Sequence, residues 1–130
     1  TAEEFGLMKA HAEKGAGMIK KAQYYTSDDD GFLEVAIEIA HYHHEKWDGS
    51  GYPNQLVGTA IPLSARIMAV ADVYDALTSA RPYKSPCSSS EAYDIILKGS
   101  GSHFDPMVIS AFAKCRSRLE EIASSWIDEV

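Results

Sequence analysis

Apolar residues recur every three or four positions along this chain, and no stretch of any length alternates between apolar and polar. A 3.6-residue repeat buries one stripe of a helix, whereas a half-buried strand needs a period of two. The pattern therefore predicts an all-α fold of about five helices, with glycine and proline clusters as the only punctuation. The first helix starts at a capping box, Thr1 to Glu4, and is expected to run to about residue 24, with Phe5, Met8, Ala12, Ile19 and Ala22 on its apolar face. Gly15 and Gly17 weaken it locally and allow close helix packing.

A second helix is predicted over 32–46, with Leu33, Ile37 and Ala40 inward and His44 following on the same face; Gly49 and Gly51 break it. After an irregular loop, Pro62 opens a third helix over 63–79, carrying Ile67, Val70, Tyr74 and Leu77 at helical period. A short helix over 91–98 is expected under a Ser90 cap. A last one begins at Asp105 as N-cap with Pro106 at N1, its apolar positions Val108, Phe112, Cys115, Leu119, Ile122 and Trp126.

At 130 residues the chain reads as one domain with a core of its own. The net charge of −7 argues against general nucleic-acid binding, since no basic stripe is present to neutralise a phosphate backbone. It leaves room for a small phosphate ligand held by a few local cations. Two cysteines without metal-ligand spacing suit a reducing cytoplasm, and no apolar run approaches the roughly 20 residues a membrane span needs. The opening at Thr1, on a helix cap and without methionine, fits a piece of something longer.

The chemistry-bearing residues cluster. "HYHHEKWDGSGYP", residues 41–53, crowds three histidines, Glu45 and Asp48 against Gly51, Tyr52 and Pro53. On a continuous helix His43 and His44 would diverge by about 100 degrees, so they would serve two adjacent metals, or one metal and a substrate. Imidazole suits iron, zinc, manganese or nickel. Asp72 and Asp75 stand at i and i+3 within an apolar run, where a buried carboxylate needs a partner. His11 interrupts the first helix. Alone, each of these reads more readily as an ordinary structural residue; together, three helices each offer a ligand. Arg81 and Lys84 in "RPYK" form either an anion clamp or a solvated loop that caps the preceding helix.

"HHEKWDGSGYP", "IPLSARIMAVADVYDALTSARPYK" and "GSHFDP", with "EEFGLMKAHAEKGAGMI" before them, resemble the second half of an HD-GYP domain, a bacterial branch of the HD phosphohydrolase superfamily. The resemblance covers about residues 1–115. It implies a helical bundle of HD-domain type and hydrolysis of cyclic di-GMP to pGpG or GMP, with two or three divalent metals, iron or manganese. Matched residue by residue, it assigns His11, His43, His44 and Asp72 as metal ligands and Arg81 and Lys84 as phosphate contacts. Gly51, Tyr52 and Pro53 become the loop met by substrate and by diguanylate cyclase domains. Glu45 would orient a ligand histidine, and Asp75 would support the Asp72 helix. His41 and His103 read as structural.

The family's HD dyad lies upstream of the matched stretch. The chain is thus expected to be the C-terminal part of such a domain, inactive or feeble alone. The alternative is a non-catalytic helical module that binds cyclic di-GMP or a signalling partner. The near-heptad stripe of the last helix could pair with a copy of itself, and Trp47 and Tyr52 could form an exposed docking surface.

Overall fold

The computed structural model describes residues 1–25, 31–80 and 82–128. Arg81 and the acidic loop at 26–30 lie outside them. Among the described residues there are six α-helices, one 3-10 turn and no strand, so the fold is all-α as the periodicity predicts. The chain divides into two compact units, Thr1–Ala69 and Val70–Val130.

In the first unit, α1 (Ala2–Tyr25) and α2 (Phe32–Tyr42) pack as a hairpin. Thr1 caps α1 as expected, its Oγ1 accepting from the Glu4 N–H at 3.1 Å. The apolar face differs from the sequence reading. Phe5 and Met8 are exposed, and the buried line is Ala12 and Ala16. Small residues let the backbones approach: a Cβ built on Gly15 would sit 3.8 Å from Ala40 Cβ. The α2 helix carries no buried residue and ends at Tyr42, four residues before the predicted limit. The Ser64 hydroxyl, at the start of α3 (Leu63–Thr78), donates to Glu38 Oε2 at 2.9 Å and ties that helix to α2.

Along α3 the residues removed from solvent are Ala65, Ala69 and Val70, while the predicted core residue Ile67 is exposed. Asp72 and Asp75 are exposed too, so the predicted cost of burying their carboxylates does not arise; Asp75 Oδ1 accepts from the Ser79 hydroxyl.

In the second unit, α4 (Ser89–Lys98) starts two residues earlier than expected, because Ser88 rather than Ser90 caps it, accepting from the Glu91 N–H at 3.1 Å. The Ser90 hydroxyl instead accepts from Arg116, whose guanidinium also lies 4.2 Å above the Tyr93 ring. Asp105 caps α5 (Pro106–Lys114) through the Met107 N–H, with Pro106 in the first turn as predicted. The single long last helix is in fact two. Cys115 leaves helical geometry (φ −98°, ψ 7°), and α6 (Arg116–Asp128) follows. The predicted stripe is interrupted accordingly: Cys115 and Ile122 are exposed, Ile109 is the buried residue of α5, and the Trp126 side chain lies outside the described residues.

Candidate metal and phosphate site

The early end of α2 creates the site. His43 is the helix C-cap, and the Glu45 N–H donates back to the Tyr42 carbonyl, closing a turn. His43 and His44 therefore do not diverge as successive helical residues would; their ring centroids are 3.9 Å apart. His43 Nδ1 lies 2.6 Å from the Ile39 carbonyl oxygen, which can only accept. Nδ1–H therefore donates to that carbonyl, which anchors the ring and leaves Nε2 as its outward nitrogen, the orientation a ligand histidine needs.

Residues 43–58 then fold back on themselves. Gly51 is buried, and its backbone lies so near residues 44–46 that a Cβ would fall 2.5 Å from the His44 oxygen and 2.6 Å from Glu45 Cα. Only glycine fits there. The next residue, Tyr52, donates its N–H to the His44 carbonyl at 3.2 Å and lays its ring on the His44 imidazole, centroids 4.9 Å apart and 21° from parallel. Phe5 of α1 meets Tyr52 in a T-shaped contact, centroids 5.1 Å apart. The Tyr52–Pro53 peptide is cis.

His11, His43, His44 and Tyr52 line one cavity of about 360 Å³, with Met8 and Ala40 as apolar wall. Tyr52 also borders a second cavity of about 380 Å³, next to Lys9 and residues 53–55. Trp47 and Tyr52 are half-buried rather than fully exposed around this loop.

Glu45 is placed differently from the reading as a histidine's partner. It is 2% exposed, and its two oxygens accept from the Asn54 N–H (2.6 Å) and the Leu56 N–H (3.1 Å) across the loop. His41, set aside as structural, donates from Nε2 to Asn54 Oδ1 at 3.1 Å. Asp48 closes the loop's outer turn, and accepting from the Ser50 hydroxyl and then the Ser50 N–H holds its carboxyl below the ordinary value. Sequence reasoning missed the two Glu45 contacts because acceptor and donor are nine and eleven residues apart, with no periodic signal joining them.

Of the remaining predicted residues, Asp72 and Asp75 lie on α3 beyond Ala69, and Lys84 is exposed in the loop before α4. Arg81 lies outside the described residues. His103 stacks on Phe104 just before α5.

The HD domain family model matches residues 1–108. A probable cyclic di-GMP phosphodiesterase of Vibrio cholerae is 53% identical over 99% of this chain and 29% of its own length. The cyclic di-GMP phosphodiesterase response regulator RpfG of Xanthomonas campestris is 43% identical over 97% of the chain and 32% of its own. A 3'3'-cGAMP-specific phosphodiesterase of Vibrio cholerae is 42% identical over 83% of the chain and 20% of its own. The chain thus spans about a third or less of the length of the curated relatives it matches. A family match over most of the chain, together with the histidine pair and the glycine–tyrosine–proline loop folded onto it, makes this chain a member of the HD domain family, of the HD-GYP kind.

Proposed function

We propose that this chain is part of a metal-dependent phosphodiesterase whose substrate is cyclic di-GMP, opened to linear pGpG. The observation that carries the reading is the cavity shared by His11, His43 and His44 under the Tyr52 ring. The donor set fits a metal, because the His43 ring is anchored through Nδ1 on the Ile39 carbonyl with Nε2 as its outward nitrogen, and its neighbours are imidazoles rather than thiols. His11, His43, His44 and Asp72 are the proposed ligands, for iron or manganese, two or three ions in the whole protein. Such a metal supplies Lewis acidity and neutralises charge that develops on the phosphoryl oxygens.

The chain's own residues divide the rest of the work. Arg81 and Lys84 hold the diester phosphates as cations. Tyr52 offers a flat apolar face beside the imidazoles and keeps bulk water from that side of the cavity. Asp75 is assigned a supporting role on the helix that carries Asp72; its own hydrogen bond is to Ser79, at the C-terminal end of α3. No helix among the described residues is long and apolar enough to cross a membrane. We place the protein in the cytoplasm, where cyclic dinucleotides act, with diguanylate cyclase domains as partners at the Tyr52 loop and self-association through the C-terminal helix.

The test is hydrolysis of cyclic di-GMP, with Mn(II) or anaerobic Fe(II), by this chain beside a version extended upstream. Turnover by the extended protein, abolished by His43→Ala or His44→Ala, is expected. A second reading, a non-catalytic module that docks a partner, is favoured by the apolar side chains that Leu7, Met18 and Phe32 expose. Absence of turnover in both proteins would overturn the phosphodiesterase reading and leave that one.

A further inference from the structure

Glu45 is the most deeply buried charged side chain among the described residues, and the mechanism above does not use it. An ionised carboxylate leaves water only where donors replace its hydration. Here both oxygens are met by backbone N–H groups, those of Asn54 and Leu56. These amides flank the far limb of the loop whose near limb is pinned by Gly51 against residues 44–46. Tyr52 sits between the two attachments. Its own N–H bonds the His44 carbonyl, and its ring lies on the His44 imidazole. His41 reinforces the far limb through Asn54 Oδ1.

We propose that Glu45 is a positioning residue for Tyr52: its carboxylate staples the loop at residues 54 and 56, and thereby fixes the tyrosine ring over the histidine cavity. It acts on the bound ligand through the loop and not on the metal through a histidine. Charge-assisted hydrogen bonds to backbone amides are short, directional and strong, and suit this task better than apolar packing would. Only the kinetic part of the consequence rests on the phosphodiesterase reading.

Glu45→Gln tests it, because the amide keeps one acceptor and turns a donor towards the other loop N–H. Amide exchange at Asn54 and Leu56 is expected to accelerate roughly tenfold or more, with α1 and α4 protection unchanged. The His44 ring resonances should move in the direction they take in Tyr52→Ala, because both variants lift the tyrosine from the imidazole. In the hydrolysing protein, KM for cyclic di-GMP should rise roughly tenfold with kcat and Mn(II) content little altered. The double variant should be no worse than Tyr52→Ala alone, since both act through one ring position.

Protected amides at 54 and 56 with a fall in bound Mn(II) would overturn the proposal, as would KM effects that multiply in the double variant. Should the glutamine variant not fold, Glu45→Asp, with both oxygens on a stem one methylene shorter, is expected to show the same pattern at smaller amplitude; an unshifted His44 resonance there overturns it. If the unsubstituted protein cleaves no cyclic dinucleotide, the functional reading falls, and exchange and ring shifts still decide the role of Glu45.

Discussion

Two parts of the first unit are ordered by different means. The α1–α2 hairpin is regular in backbone yet exposes Leu7, Met18 and Phe32 and holds itself through a narrow line of Ala12, Ala16 and Gly15. Residues 43–58 contain almost no regular structure, yet they bury Glu45, Gly51 and Pro53 and tie themselves together by designated hydrogen bonds. Helical regularity alone does not make a rigid site. In this molecule the irregular segment is the more tightly specified of the two, and it carries His43, His44 and Tyr52.

Glycine substitutions break the comparison most sharply. Gly51→Ala forces a methyl group into the backbone of residues 44–46, and a loss of about 3 kcal/mol is expected, read as a lowered midpoint in thermal or urea unfolding. Gly17→Ala in α1 meets nothing within 4 Å and should stabilise the chain by about 0.5–1 kcal/mol. Equal destabilisation by the two would remove the contrast. A smaller effect is expected from Phe32→Ser on the exposed helical side: less than about 0.5 kcal/mol in the same unfolding experiment.

The smallest effect is one of pH. The carboxyl of Asp48 is held below its ordinary value of 3.8 by Ser50. A depressed carboxylate contributes fully above the unfolded value, and the contribution is lost as pH falls through the folded one. The Ser50 amide resonance should therefore titrate with a midpoint below 3.8; a midpoint at or above it would show that the turn is not clamped.

Much of this was legible beforehand. The α1 cap, the Asp105–Pro106 start of α5 and the all-α class follow from local chemistry, because a side-chain oxygen one turn from an N–H acts within its own segment. What escaped was decided over longer distances. The α2 helix stops at Tyr42 because residues 44–46 must receive the Gly51–Tyr52 backbone, while the sequence marks only the later glycines. The break at Cys115 has neither glycine nor proline to announce it. The histidine pair and the loop were readable as motifs. That Glu45 holds the loop rather than a histidine was not, since the choice between partners lies in the tertiary fold.

Where a metal binds tests the central claim most directly. Mn(II) added in small steps broadens nearby proton resonances, so a titration followed on side-chain signals maps its position without any assay of turnover. The expected result is early loss of the His11, His43, His44 and Asp72 signals, with His103 retained, and suppression of that loss in His44→Ala. Broadening that begins at scattered exposed carboxylates such as Glu13 and Asp94 while the three imidazoles stay sharp would contradict a metal site built on this histidine pair.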